Sequence, residues 1–316
     1  MLNQVKNVFK LVSGGNLIII ALAMFFFRYF KVVPILNAMS LPSSLNGFDF
    51  SLLVLASVCI AAAGYVANGY FNFENNQPYS SERTVIGTFI SLDNAFVLQA
   101  VLNVAGIALA YYLAWKVGNY ELGNLYVVFV ALLLTYAMFL KRWFVIGDLV
   151  ISALYAFIFV IIVAYETQLF SPYLVENYPQ EIEYLFGQMK GYALFAFIIA
   201  FIIELMDDMS NKPIDEPSDA KTLAVVLPVW ASKLIIILVT VAAMFLTGNI
   251  AYVLYTNGAF KEFWYITLLL QSHFVLIIVQ TLSADKAVDY RNAAITAKSI
   301  LLYVILSLPL FWFFNG

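Results

Sequence analysis

Charge-free apolar stretches recur along the chain, as at residues 17–27 and 192–203. They sit within windows of roughly 20 residues bounded by polar groups, Gly or Pro, the length a helix needs to cross about 30 Å of hydrocarbon. The pattern predicts nine spans, near 16–36, 50–72, 94–116, 123–141, 147–166, 188–206, 222–246, 263–283 and 296–314. Each is expected to be helical, because an open strand edge in lipid has nothing to bond its backbone N–H and C=O groups. Lys6 and Lys10 precede the first span in the manner of a secretory leader. The apolar stretch, however, continues through aromatics to Arg28 without a small-residue cleavage site, so it reads as a retained span.

Composition strengthens this reading. Hydrophobic residues make up 63% of the 316 and charged residues only 11%, with a mean hydropathy of +0.90, too apolar for a water-soluble domain of this size. The net charge of −3, with no basic stripe interleaved with aromatics, sets nucleic-acid binding aside. The lone cysteine, Cys59, lies in an apolar run, which excludes a disulfide framework or thiolate cluster within the chain and leaves a small core residue. No soluble linker or low-complexity tract divides the sequence. The expectation is one all-α, polytopic, membrane-embedded domain over residues 1–316.

Orientation follows from the basic residues. With a cytoplasmic N-terminus, Lys6, Lys10, Arg83, Lys141, Arg142, Lys212, Lys221, Lys286, Arg291 and Lys298 all fall on that face, ten of the sixteen, as the positive-inside rule requires. The loop after span 5 carries Glu166, Glu176, Glu181 and Glu183 instead; the 167–187 segment is expected to be an external loop with a short interfacial helix. Two long polar loops, near 73–93 and 207–221, share the cytoplasmic face four spans apart, a spacing that hints at a duplicated helix–loop unit.

These loops hold the candidate chemistry. Asn68, Asn72 and Asn76 recur every fourth residue, so on a helix they aim carbonyl oxygens at one place; an interfacial polar cap would look the same. Asp208, Asn211 and Asp215 stand at i, i+3 and i+7, one helical face provided Pro213 does not kink it. Clustered carboxylates repel unless a cation neutralises them, and hard oxygen ligands favour Mg²⁺ or Ca²⁺; a solvated acidic loop balanced by Lys212 and Lys221 is the alternative. Tyr65, Tyr70, Tyr136 and Tyr155 near these segments include rings able to face a cation, though most membrane aromatics pack or anchor. His273 reads as a buried hydrogen-bonding residue, having no second ligand in sight. Arg28, Lys31 and Lys233, costly in lipid, are expected to face the bundle interior or to snorkel.

Taken together the two loops resemble the aspartate-rich motifs of the UbiA family of intramembrane prenyltransferases, N-D-x-x-D-x-x-x-D after the second span and D-x-x-D-x-x-x-D after the sixth. Asn68, Tyr70 and Phe71 fit the first frame, with Arg83 at the place of a diphosphate-binding arginine. Asp208 and Asp215 fit the second, with Glu204 before it and Thr222-Leu223 closing it. Tyr136 through Lys141-Arg142, with Gly147, looks like the family's segment at the end of span 4. The chain departs from the pattern at four aspartate positions, occupied by Gly69, Asn72, Asn76 and Asn211.

The resemblance implies a nine-helix bundle with a cavity opening toward the membrane, and transfer of an isoprenoid chain from a prenyl diphosphate to a lipid-type acceptor. Asp208, Asn211 and Asp215 would hold Mg²⁺, as one ion or none given the missing carboxylates. Arg83, Lys141 and Arg142 would bind diphosphate, and Asn68, Asn72, Asn76, Tyr70 and Tyr136 would contact substrate. The run around Glu82-Arg83-Thr84 looks somewhat like the branch that alkylates glycerol phosphate. Two other readings stay open: a catalytically silent relative that binds lipid or docks a protein partner, and a small-molecule transporter using Lys233 or His273.

Overall fold

A computed structural model of the chain describes residues 2–74, 85–218 and 220–315. Among them, nine helices are long and apolar enough to cross a membrane. They are α1 (Gly14–Ala38), α2 (Gly47–Phe73), α3 (Leu92–Lys116), α4 (Glu121–Met138), α5 (Ile146–Glu166), α6 (Pro179–Ser218), α7 (Val229–Thr256), α8 (Phe260–Ser283) and α9 (Ala287–Phe314). The all-α, polytopic architecture is as the hydrophobic pattern predicts. The largest departure is α6, which starts nine residues before and ends twelve residues after the expected 188–206 window. Hydropathy marks where lipid ends, whereas a helix ends only where its backbone finds other partners, so Glu181, Glu183 and Lys190 at one end and the second motif at the other stay helical. The short helix Pro172–Asn177 lies in the 5–6 connection, in the segment where one was expected.

Two compact units make up the chain, Met1–Lys141 with Phe157–Lys190, and Arg142–Ala156 with Gly191–Gly316. In the first, α2 packs against α1, α3 and α4. Lipid offers no hydrophobic drive between helices, so close backbone approach through small residues must supply the contact. Ala56, Ala63, Ala67, Ala110 and Ala114 are buried accordingly. At Gly106 a Cβ would fall 2.6 Å from Ile60 Cγ1 and 3.0 Å from the Ala56 carbonyl oxygen, so α2 and α3 meet there only because the side chain is absent. Between α2 and α4 the Ser57 and Tyr126 hydroxyls lie 2.8 Å apart, and Tyr165 donates to the Ala110 carbonyl at 3.0 Å.

The same unit buries an ion pair. Arg28, 3% exposed, reaches Glu166, fully buried, at 2.6 Å, and also donates to the Leu45 carbonyl. Glu166 accepts from the Ser44 amide at 3.0 Å, while Ser44 Oγ donates to the Glu166 carbonyl at 2.8 Å. The guanidinium carbon lies 4.4 Å from the centre of the Phe50 ring. Arg28 opens a π-helical turn, Arg28–Val32, the kind of local unwinding that re-aims a side chain within a helix. Arg28 thus faces the protein interior, as its cost in lipid demands.

In the second unit, Ile199, Ile203, Met206 and Met209 of α6 join a core with Ile236, Phe274, Ile277, Ala293 and Ile300. A second π-helical turn, Ile266–Gln271, interrupts α8. Gln271 Nε2 there donates to the Met244 carbonyl and to Thr247 Oγ1, both at 3.0 Å, fastening α8 to α7.

Candidate functional site

The first motif lies on the last turns of α2, and helical geometry puts Asn68 and Asn72 one turn apart on one face. Both carbonyl oxygens meet the ammonium of Lys141, which donates to Asn68 Oδ1 at 3.2 Å and to Asn72 Oδ1. Lys141 is placed by the short 3₁₀ turn Leu140–Arg142 that follows α4. Asn72 is only 3% exposed, so its carbonyl is drawn out of water and an acceptor role there requires a donor. Tyr70 packs on Phe71 and Phe96, ring centres at 5.1 and 5.9 Å, and against the small core formed by Leu11, Val66, Val85, Ile86 and Ala95. Tyr136 is half-buried toward the end of α4. Asn76 and Arg83 lie outside the described residues.

The second motif lies on α6, which runs through Pro213 without a break. Asp215 is buried beside Thr222. Asp208 faces the backbone amide of Leu223 and lies within electrostatic reach of Asp148, Glu204 and Asp207. Asn211 is half-buried on the same helix. The loop that follows returns to the start of α5, where the Lys221 amide donates to the Arg142 carbonyl at 2.8 Å. Arg142, Asp148, Asp208 and Asp215 therefore belong to one region of the second unit.

This region is short of hydrogen-bond partners. Arg142 Nε, Asp148 Oδ2 and Ser210 Oγ are buried, and none has a hydrogen-bonding partner. Native interiors satisfy nearly all buried polar groups, so these three atoms are candidates for contact with a ligand or with water. Asp148 was not singled out by its sequence pattern. Its signal was a lone acid directly after Gly147, six residues beyond Arg142 and at the edge of an apolar window. The residue that leads into its helix is strained: Val145 adopts φ of 58°, costly for a β-branched side chain. Among the described residues, no three His, Cys, Asp or Glu side chains converge on a ready-made cation site.

The transporter candidates serve local roles. Lys233 donates to the Leu282 carbonyl at 3.1 Å. The His273 ring nitrogen lies 2.7 Å from the Leu269 carbonyl, and its ring is edge-on to Tyr303 at 4.9 Å. An apolar groove of about 730 Å³, lined by residues such as Met244, Phe245, Tyr252 and Phe263, contains none of the predicted site residues.

Fold and chemistry thus define a multi-pass helical membrane protein with two degenerate aspartate-rich segments, the second of which lies near buried polar atoms that lack hydrogen-bond partners. Residues 31–300 match the family model described as the UbiA prenyltransferase family, and the chain belongs to that family. Solved structures share the fold over almost the full length. One of digeranylgeranylglyceryl phosphate synthase has 17% identity and a TM-score of 0.61, covering 97% of each chain. A UbiA homologue from Aeropyrum pernix K1 has 13% identity and a TM-score of 0.62, covering 96% of this chain and 97% of that one. A UbiA homologue from Archaeoglobus fulgidus bound to GPP and Mg²⁺ has 10% identity and a TM-score of 0.59, covering 96% and 99%. A search of curated proteins finds no significant match.

Proposed function

We propose that this membrane protein transfers an isoprenoid chain from a prenyl diphosphate to the hydroxyl of a lipid-type acceptor of the glycerol phosphate class, acting as a single membrane-embedded domain with its N-terminus and motif loops in the cytoplasm. The observation that carries this reading is the buried, unpartnered carboxylate oxygen of Asp148 within electrostatic reach of Asp208. The donor set suits Mg²⁺, which keeps several waters and is held by one or two carboxylates together with substrate phosphates rather than by an all-protein cage. Asp148 and Asp208 would hold it, with Asp215 and Asn211 on the adjoining turns of α6. When bound, Mg²⁺ supplies positive charge opposite the departing diphosphate.

The remaining work falls to the chain itself. Arg142 offers its guanidinium to diphosphate oxygens, where charge-assisted hydrogen bonds are strongest, and Lys141 is assigned the same role from its place in the sequence. Arg83, next to the first motif in sequence, is assigned the same role. As the allylic C–O bond breaks, its electron pair leaves on the diphosphate, and these fixed cations meet that charge as it develops. The acceptor oxygen then bonds to the allylic carbon and gives up its proton to the released diphosphate. A half-buried ring such as Tyr136 can face the transient allylic cation. The acceptor class is supported by the Glu82-Arg83-Thr84 run and by the shared fold with digeranylgeranylglyceryl phosphate synthase.

The test is release of inorganic pyrophosphate from geranylgeranyl diphosphate by the purified full chain, with and without a glycerol phosphate acceptor. Turnover that needs Mg²⁺ and is abolished by Asp208→Ala is the expected result. Turnover indifferent to Asp208→Ala, or none with any acceptor, would overturn the proposal in favour of a silent, lipid-binding relative.

A further inference from the structure

The first motif has lost its carboxylates, yet its remaining oxygens still converge on a cation, and that cation is part of the chain. Asn68 and Asn72 both accept from Lys141 Nζ. From this we infer that the Lys141 ammonium is the resident cation of the first motif, doing for a diphosphate what a divalent ion would do if positions 69 and 72 were acidic, so that this motif binds diphosphate without metal. The inference rests on the proposed function for its ligand and goes beyond it in stating where the charge comes from.

Charge arithmetic supports the substitution. Two carboxylates at 69 and 72 beside one lysine would sum to −1, and only a bound divalent ion would bring the cluster to +1. With Gly69 and Asn72 in those places, the lysine alone gives +1. Neutral carbonyls orient the ammonium through two of its three N–H groups without cancelling its charge, whereas a carboxylate at 72 would pair with it and silence it. The two asparagines therefore act as positioning residues. The burial of Asn72 adds force: away from bulk water the field of a fixed ammonium is screened less, and an anion gains more from it.

The experiment measures binding of geranyl S-thiolodiphosphate, a non-reacting analogue, to the full chain in detergent, in EDTA and across a Mg²⁺ titration. The unaltered protein is expected to retain measurable affinity in EDTA. Lys141→Gln, which keeps an N–H donor for the asparagines but no charge, is expected to lose about tenfold to a hundredfold of that metal-free affinity; Lys141→Arg should keep most of it. Asn72→Asp should lose metal-free affinity by a similar factor and recover it with Mg²⁺, steepening the dependence of log affinity on log Mg²⁺ by about one ion. Metal-free binding by Lys141→Gln equal to that of the parent would overturn the inference. So would parental binding that vanishes in EDTA and has the same Mg²⁺ slope as Asn72→Asp; if Asp208→Ala then abolishes the Mg²⁺-dependent binding, the proposed function stands while the inference falls. Absence of binding in every buffer would overturn both.

Discussion

Two buried charge clusters in this protein are built on opposite principles. Around Arg28 and Glu166 the charges are matched: guanidinium against carboxylate at 2.6 Å, the carboxylate also taking the Ser44 amide, the guanidinium also reaching the Leu45 carbonyl. Around Asp148 and Asp208 like charges approach each other, and Asp148 Oδ2 goes unmatched. Low dielectric raises the stakes in both places. Burial of charge is therefore not itself the mark of a functional site in a membrane protein.

Stability measurements in detergent can break or sharpen this contrast. The largest effect is expected at the matched cluster, where Arg28→Met leaves Glu166 buried without its counter-charge and should cost about 3–5 kcal/mol, most of it recovered in Arg28→Met/Glu166→Leu. Thermal unfolding of the single and double variants checks this, and a small loss in the single variant would remove the distinction. The unmatched cluster should respond with the opposite sign. Asp148→Asn, which removes a buried negative charge that repels Asp208, is expected to raise stability in metal-free buffer by roughly 1–3 kcal/mol, while abolishing the gain that Mg²⁺ plus pyrophosphate gives the parent. Unfolding scans in EDTA and in that mixture read both halves. A neutral, satisfied contact should fall between: Tyr126→Phe, which removes one partner of the Ser57 contact at 2.8 Å, is expected to lose about 1 kcal/mol by chemical denaturation. Smallest of all, Lys298→Ala breaks a 3.8 Å pair with Asp207 in which both side chains are more than a third exposed. Discounted for solvent screening, its effect should stay within about 0.5 kcal/mol by the same assay.

Much of this was legible in the residues and some was not, for identifiable reasons. Nine spans follow from hydropathy because lipid leaves the backbone one solution. The one-turn spacing of Asn68 and Asn72, and the place of Asp208 and Asp215 on one helix, follow from helical periodicity. The extension of α6 to Ser218 did not, because polar residues neither forbid nor require a helix. Pairings between distant residues were also hidden. Arg28 and Glu166 stand 138 positions apart, and Lys141 stands 69 from Asn72; a sequence can show that each needs a partner but not which one it has. Asp148 was missed because one acid at a span edge looks like a favourable charge at a helix N-terminus, and its lack of a partner appears only once the neighbours are in place.

The left-handed backbone at Val145 loads the turn that leads into α5. A β-branched residue held in that conformation stores roughly 1–3 kcal/mol, and the strain falls between Arg142 and Asp148, where the Lys221 amide is hydrogen-bonded to the Arg142 carbonyl. Packing around the turn must offset it, so the spacing of those two residues is imposed by the fold and not by a relaxed backbone.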